Sequence, residues 1–314
     1  FLDSGWLGGD RDQRALRFVA GAQDLIAPER PEDAPVRGVV LTVIGVLMLV
    51  GISACFKYLA TAYPPLEIVW ARYFFSFVAL LFLFPRRVPR LFVSDHVKLQ
   101  LLRGLCAVGA TVLAIYALQV ISIAEVVAIT FIAPLLTIAL VSVVLKERAG
   151  PRVWAAVIVG FVGTLIIVRP GIGGLAQIAA FLPLGMAFLF AGGQLIIRSI
   201  SYLEHPATSL AYQIIVGLSL MTLVLPFVWV TPASLFDLGI FVLSGLLGAG
   251  GHYCMILAFE RTAARVVAPF TYVELIWAMV VGFIVFGDVP DPWMVLGSLV
   301  VVASGLYVLR KERI

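Results

Sequence analysis

The chain contains itself twice. Lys57 has a counterpart in Arg198, Gly51 in Gly192, Gly104-Leu105 in Gly245-Leu246, Gly109 in Gly250, Ala117 in Ala258, Pro151 in Pro292 and Arg169 in Arg310, each pair 141 positions apart. A repeat held in register over that length calls for two copies of one structural unit that stack on each other. Composition says what the unit is made of. With 62% hydrophobic and 13% charged residues, there is too little polar surface to clothe a water-soluble globule. The solvent for most of this chain is a bilayer.

A hydrocarbon core of about 30 Å takes roughly 20 apolar residues at about 1.5 Å each. Ten windows of that kind lie near 38–59, 65–84, 99–120, 123–145, 152–169, 177–198, 207–229, 237–258, 264–286 and 293–310. The apolar runs are continuous rather than alternating, which argues against a barrel of period-two strands. The predicted fold is an all-α polytopic membrane protein with ten transmembrane helices, five in each repeat. An odd number of spans per unit makes the second copy insert upside down, as in alternating-access carriers. The predicted division is a mobile N-terminal tail over 1–36, a first five-helix repeat over 37–170 and a second over 171–314.

Lys and Arg accumulate in cytoplasmic loops. Arg86, Arg87, Arg90 and Lys98 separate spans two and three, Lys146, Arg148 and Arg152 spans four and five, Arg261 and Arg265 spans eight and nine, and Arg310, Lys311 and Arg313 follow span ten. All fall on one side. The alternate connections, Tyr58–Pro65, Gln119–Ile123, Thr231–Asp237 and Gly287–Pro292, carry none, and Arg169 alone marks the fifth-to-sixth turn. Both termini are therefore expected in the cytoplasm. The net charge of +4 follows from this loop bias and calls for no nucleic-acid partner. The tail lacks the apolar core of a secretory signal. Its stretch Arg11–Ile26 reads as disordered on composition, with a short surface helix as the alternative.

Cys55, Cys106 and Cys254 fall inside predicted spans at spacings unsuited to a metal, and read as small packing residues. Phosphate loops, zinc-protease motifs and nucleophile elbows are absent from the sequence, so neither a cofactor nor an enzymatic reaction is indicated.

The run Phe56-Lys57-Tyr58-Leu59, Pro64-Pro65 and Arg72-Tyr73-Phe74-Phe75 resembles the first two helices of the drug/metabolite transporter superfamily, EamA type. So does Ala117-Leu118-Gln119 through Ala133-Pro134-Leu135 to Leu145-Lys146-Glu147-Arg148, followed by Gly160 and Gly163. The resemblance extends over 37–310. Val267 to Leu275 and Phe286-Gly287-Asp288-Val289-Pro290-Asp291 are most similar to branches that move S-adenosylmethionine or riboflavin. It implies two inverted five-helix repeats around a central cavity in a bacterial inner membrane, carrying a small organic metabolite. Proton coupling and pairing into a homodimer are left open.

An inverted pair places its binding site near the bilayer midplane. Glu274 is the sharpest polar residue at such a depth, lying midway along span nine, and its mate at the 141-residue offset is Ala133. An unpaired carboxylate there faces a cavity, meets a cation or holds a proton. Arg72, whose mate is Gln213, lies seven residues into span two. Snorkelling outward, anion binding and pairing with Glu274 are its competing readings. Arg103 is closer to a span end and reads first as a snorkelling residue. Lys57 and Arg198 sit at span ends, as interface anchors or as matched gates on opposite faces. Glu125 starts span four, where a helix dipole favours it.

Aromatic and polar residues complete the expected pocket: Tyr116, Thr130 and Phe131 in the first half, Gln194, Tyr212, Gln213, His252, Tyr253, Tyr272 and Trp277 in the second. Rings stack on a flat ligand while hydroxyls and amides fix its edges. His252 is read as a proton shuttle or as a neutral ring bonded to a helix carbonyl. Pro134 and Pro269 interrupt spans four and nine as hinges or as static kinks. The sum points to a secondary transporter of a small metabolite, with an amino-acid or drug exporter as the alternative and an ion channel or membrane scaffold more remote.

Overall fold

The computed structural model describes residues 35–83, 91–92, 94–144, 150–168, 178–200, 206–262 and 264–311. They form α1 (Pro35–Leu59), α2 (Pro65–Leu83), α3 (Val97–Leu118), α4 (Ile123–Thr130), α5 (Ala133–Val144), α6 (Pro151–Val168), α7 (Phe181–Ile200), α8 (Pro206–Val228), α9 (Leu235–Arg261), α10 (Ala264–Thr271), α11 (Val273–Phe286) and α12 (Pro292–Lys311). Among the described residues there is no β-strand. Seven stretches are long and apolar enough to cross a bilayer, and the shorter apolar helices Trp154–Val168, Phe181–Ile196 and Pro292–Val308 bring the spans to the ten expected. Span four is divided into α4 and α5, and span nine into α10 and α11.

Local chemistry starts and stops these helices. Proline opens α1, α2, α6, α8 and α12, where its missing N–H is one that a helix start leaves unbonded anyway. Pro65 and Pro206 are mates at the repeat offset, as are Pro151 and Pro292. At the start of α4, Ser122 Oγ accepts the Glu125 N–H at 3.1 Å and Glu125 Oε2 accepts the Ser122 N–H at 2.9 Å. That reciprocal cap satisfies two orphan donors, so Glu125 is a helix-end residue as the sequence suggests. Gly287 closes α11 at φ 70°, a left-handed turn that a side chain would disfavour.

Packing shows how the two copies are related. The mates α2 and α8 lie side by side: Trp70 Nε1 donates to Thr222 Oγ1 at 3.0 Å, Tyr73 covers Gly217, and Leu80 clusters with Leu210. Residue numbers rise along one helix as they fall along the other, so the pair is antiparallel. The same holds for α6 and α12, where Gly160 faces Ser304 and Gly163 faces Val300 and Gly297. Two copies of one element that meet antiparallel are related by a two-fold axis perpendicular to both. The repeats are inverted, with that axis in the membrane plane.

Close contacts repeat in symmetric pairs. Gly104 meets Val216, and their mates Gly245 and Phe75 meet each other; Gly109 against Leu189 is matched by Gly250 against Met48. Lipid removes the hydrophobic drive between helices, so small residues that permit close approach carry much of the association.

The interruptions of spans four and nine are also equivalent. α4 ends at Thr130 and α10 at its mate Thr271. Phe131 and Tyr272, mates within the two breaks, meet edge to face with centroids 5.0 Å apart. A residue that touches its own mate sits on the two-fold axis, so both breaks lie at the centre of the molecule. Neither proline lies within its break. Pro134 is the second residue of α5, after its break, whereas Pro269 lies inside α10, before the other.

The N-terminal tail with its Arg11–Ile26 stretch lies outside the described residues, apart from the last two positions before residue 37. So do Arg86, Arg87, Arg90, Lys146, Arg148, Arg169 and Arg313, together with the side chains of Arg198, Arg261, Arg265, Arg310 and Lys311.

Candidate functional site

A polar cluster fills the meeting of α2, α3, α8 and α9. Arg72 on α2 is 7% exposed; its Nη1 donates to Thr111 Oγ1 on α3 at 2.8 Å, and its guanidinium lies 5.0 Å from the Tyr73 ring centroid. Thr111 donates onward to Ala107 O at 2.9 Å, so its hydroxyl accepts from Arg72 and from Tyr73 OH at 3.1 Å. The second repeat copies this bond with a different residue: His252 is the mate of Thr111, and its Nδ1 lies 2.8 Å from O of Gly248, the mate of Ala107. A carbonyl only accepts, so Nδ1 carries the proton. Nε2 has no hydrogen-bond partner among the described residues.

Arg103 reaches inward from α3. Its Nη1 donates to Ser209 O at 2.5 Å and its Nη2 to Gln213 Oε1 at 3.3 Å, both on α8. This corrects the snorkelling readings of Arg72 and Arg103. Each finds hydrogen-bond acceptors on a neighbouring helix, which a lipid-facing stem would forgo. Neither guanidinium has a carboxylate partner among the described residues.

Glu274 occupies the first turn of α11, beside the break rather than mid-helix. There the positive end of a helix dipole favours a carboxylate. It is half-buried and has no hydrogen bond or ion pair among the described residues, and α11 packs against α1 and α4. Trp277, one turn on, buries an indole Nε1 without a partner. Tyr272 directs its hydroxyl onto α12 at Gly305, where any side chain would collide with it.

Of the other expected residues, Thr130 is half-buried beside the axis and donates to Val126 O at 2.7 Å. Gln194 is half-buried on α7. Tyr212 is buried and donates to Phe92 O at 2.9 Å, tying α8 to the segment after α2 rather than facing a ligand. Tyr116 is 39% exposed on α3, five residues beyond Thr111, and makes no hydrogen bond to the cluster among the described residues.

A second polar network ties one face of the bundle together. Lys57 Nζ at the end of α1 donates to Asp288 Oδ2 at 2.5 Å in the α11–α12 turn, with Nζ 5.0 Å from the Phe286 ring centroid. Asp237 at the start of α9 accepts from Tyr63 OH at 2.8 Å and Tyr58 OH at 3.3 Å. Tyr63 OH in turn accepts the Ala233 N–H at 2.8 Å, and Glu67 Oε2 accepts the Val230 N–H at 3.0 Å. Thr111, Tyr73, Tyr63, Glu67 and Asp237 were not singled out in the sequence. Thr111 alone had a usable signal there, as the mate of His252.

The profile of the EamA-like transporter family matches twice, over residues 36–169 and 177–310. The chain belongs to this family. Its curated relatives include the riboflavin transporter of Rhizobium johnstonii, 30% identical over 62% of this chain and 64% of that protein. The S-adenosylmethionine uptake transporter of Rickettsia prowazekii is 25% identical over 82% of this chain and 87% of its own length. The pseudopaline exporter of Pseudomonas aeruginosa is 26% identical over 88% and 97%. Among solved structures, one crystal structure aligns at a TM-score of 0.58 with 14% identity, covering 88% of this chain and 99% of the other, a likeness of fold. This EamA chain is thus an integral membrane protein of a transporter family.

Proposed function

We propose that this EamA protein is a secondary transporter that moves a small heteroaromatic metabolite, S-adenosylmethionine or a riboflavin-like compound, by alternating access about its two-fold axis. The observation that carries the reading is the pair of broken spans meeting at Phe131 and Tyr272, with the unpartnered Glu274 at one break. Broken helices at the midplane free backbone groups and helix ends to meet a solute. The relatives named for S-adenosylmethionine and riboflavin support a flat heterocyclic cargo. Glu274, Tyr272, Trp277, Phe131 and Thr130 form the central half of the proposed pocket, and Arg72, Gln213, His252 and Gln194 its polar wall. Pro134, Pro269, Lys57 and Arg198 serve the moving parts. The charge pattern supports a cytoplasmic position for both termini, and proton exchange at Glu274 offers a coupling route.

The test is uptake and counterflow of labelled S-adenosylmethionine and riboflavin in proteoliposomes, with Glu274→Gln beside the parent. The parent should exchange one of them, and Glu274→Gln should abolish or decouple exchange while unfolding at the parent's temperature. Full, pH-independent exchange by Glu274→Gln would remove that residue from the mechanism. An amino acid or drug carried in preference to both compounds would establish the exporter alternative.

A further inference from the structure

Arginine cannot shed its charge inside a protein, and its guanidinium offers five N–H donors. Among the described residues Arg72 uses one of them, to the neutral Thr111 hydroxyl, and buries its Nε without a partner. Arg103 is met by two neutral acceptors, Ser209 O and Gln213 Oε1. None of the described carboxylates is bonded to either guanidinium: Glu67 accepts Val230 N–H through Oε2, Glu125 pairs with Ser122, Asp237 with Tyr63 and Asp288 with Lys57. A cation taken out of water without a counter-charge is unfavourable, and an anionic group from outside the chain would relieve it.

Gly248 brings the α9 backbone close against the guanidinium: a Cβ there would lie 3.4 Å from Arg72 Nε and 3.0 Å from Ser76 Oγ, so a side chain would crowd Arg72. The mate of Gly248 is Ala107, so the first repeat carries a methyl where the second carries none. Gly248 O also accepts the His252 Nδ1–H, which fixes the ring beside Arg72. A planar oxyanion matches the Nε edge of a guanidinium with two parallel hydrogen bonds, as a ring or a neutral amide does not.

We infer that Arg72, flanked by Gly248 and His252 and supported by the charge of Arg103, holds a carboxylate of the transported solute. The inference rests on the transporter reading above and narrows its substrate class to molecules that carry a carboxylate. A solute that also bears a cationic group would answer the unpartnered Glu274. S-adenosylmethionine has both groups; riboflavin has neither.

The experiment uses the purified full chain in detergent and reads its thermal unfolding by tryptophan fluorescence, first in sodium acetate against sodium chloride at equal ionic strength. Acetate should raise the unfolding temperature of the parent and lose that effect in Arg72→Gln. Gly248→Ala, which keeps the guanidinium but crowds it, should weaken the response if Arg72→Gln folds poorly. In the second arm, S-adenosylmethionine should bind the parent about ten-fold or more tightly than its decarboxylated analogue, a preference that Arg72→Gln erases. An acetate effect that is absent from the parent, or that survives unchanged in both variants, overturns the site; so does equal binding of the two nucleoside compounds by the parent. Acetate stabilisation without binding or transport of either compound upholds the anion site and instead defeats the S-adenosylmethionine reading.

Discussion

At the scale of single residues, Lys57 and Asp288 show how much depends on a partner. The two side chains are 20% and 25% exposed and meet at 2.5 Å. In such a half-buried setting, removing one charge strands the other. Lys57→Met or Asp288→Asn alone should therefore lower stability by about 1 kcal/mol, and Lys57→Met/Asp288→Asn together by less than the sum of the two. Thermal unfolding of the four proteins measures this, and strict additivity would show that the pair contributes nothing. The sequence told which residues were deep but not where they pointed. Arg72 and Arg103 were legible as charges inside spans, and Glu274 as a carboxylate without a mate. Their partners were hidden because a long side chain reaches an acceptor on another helix, and sequence spacing does not encode which helices adjoin. Arg103 pairs with Gln213, 110 positions away.

At the scale of elements, the ten spans were legible because hydropathy and length decide them. The breaks in spans four and nine were placed only approximately, since the apolar run continues through both and neither proline lies within its break. Pro134 lies in the first turn of α5, where an N–H would have no helical partner to lose. Pro269 lies in the interior of α10, where its absent N–H forfeits a hydrogen bond. Pro134→Ala should accordingly leave uptake within about two-fold of the parent, whereas Pro269→Ala should stiffen α10 and slow uptake by more. Equal effects of the two substitutions would give Pro134 the same part in the motion as Pro269. The reciprocal cap of α4 supplies a control with the opposite profile: Ser122→Ala should cost about 1 kcal/mol in unfolding and leave transport unchanged.

At the scale of the whole molecule, an odd number of spans per repeat was enough to foretell inversion, and the antiparallel packing of α2 on α8 and α6 on α12 realises it. Inversion has a kinematic consequence. Two copies of one unit in opposite orientations can exchange conformations, and the exchange carries the closed face to the other side of the membrane. If this chain works by alternating access as proposed, the face held by Lys57–Asp288, Tyr63–Asp237 and Glu67–Val230 comes apart once in every cycle. Lys57→Cys/Asp288→Cys, placed in a protein whose three native cysteines are replaced and bridged by a short reducible bis-thiol reagent, holds that face shut. Counterflow should stop on bridging and return after reduction, while either single cysteine variant treated alike should keep exchanging. Undiminished counterflow in the bridged protein would mean that solute passes without this face opening, and alternating access through it would be excluded.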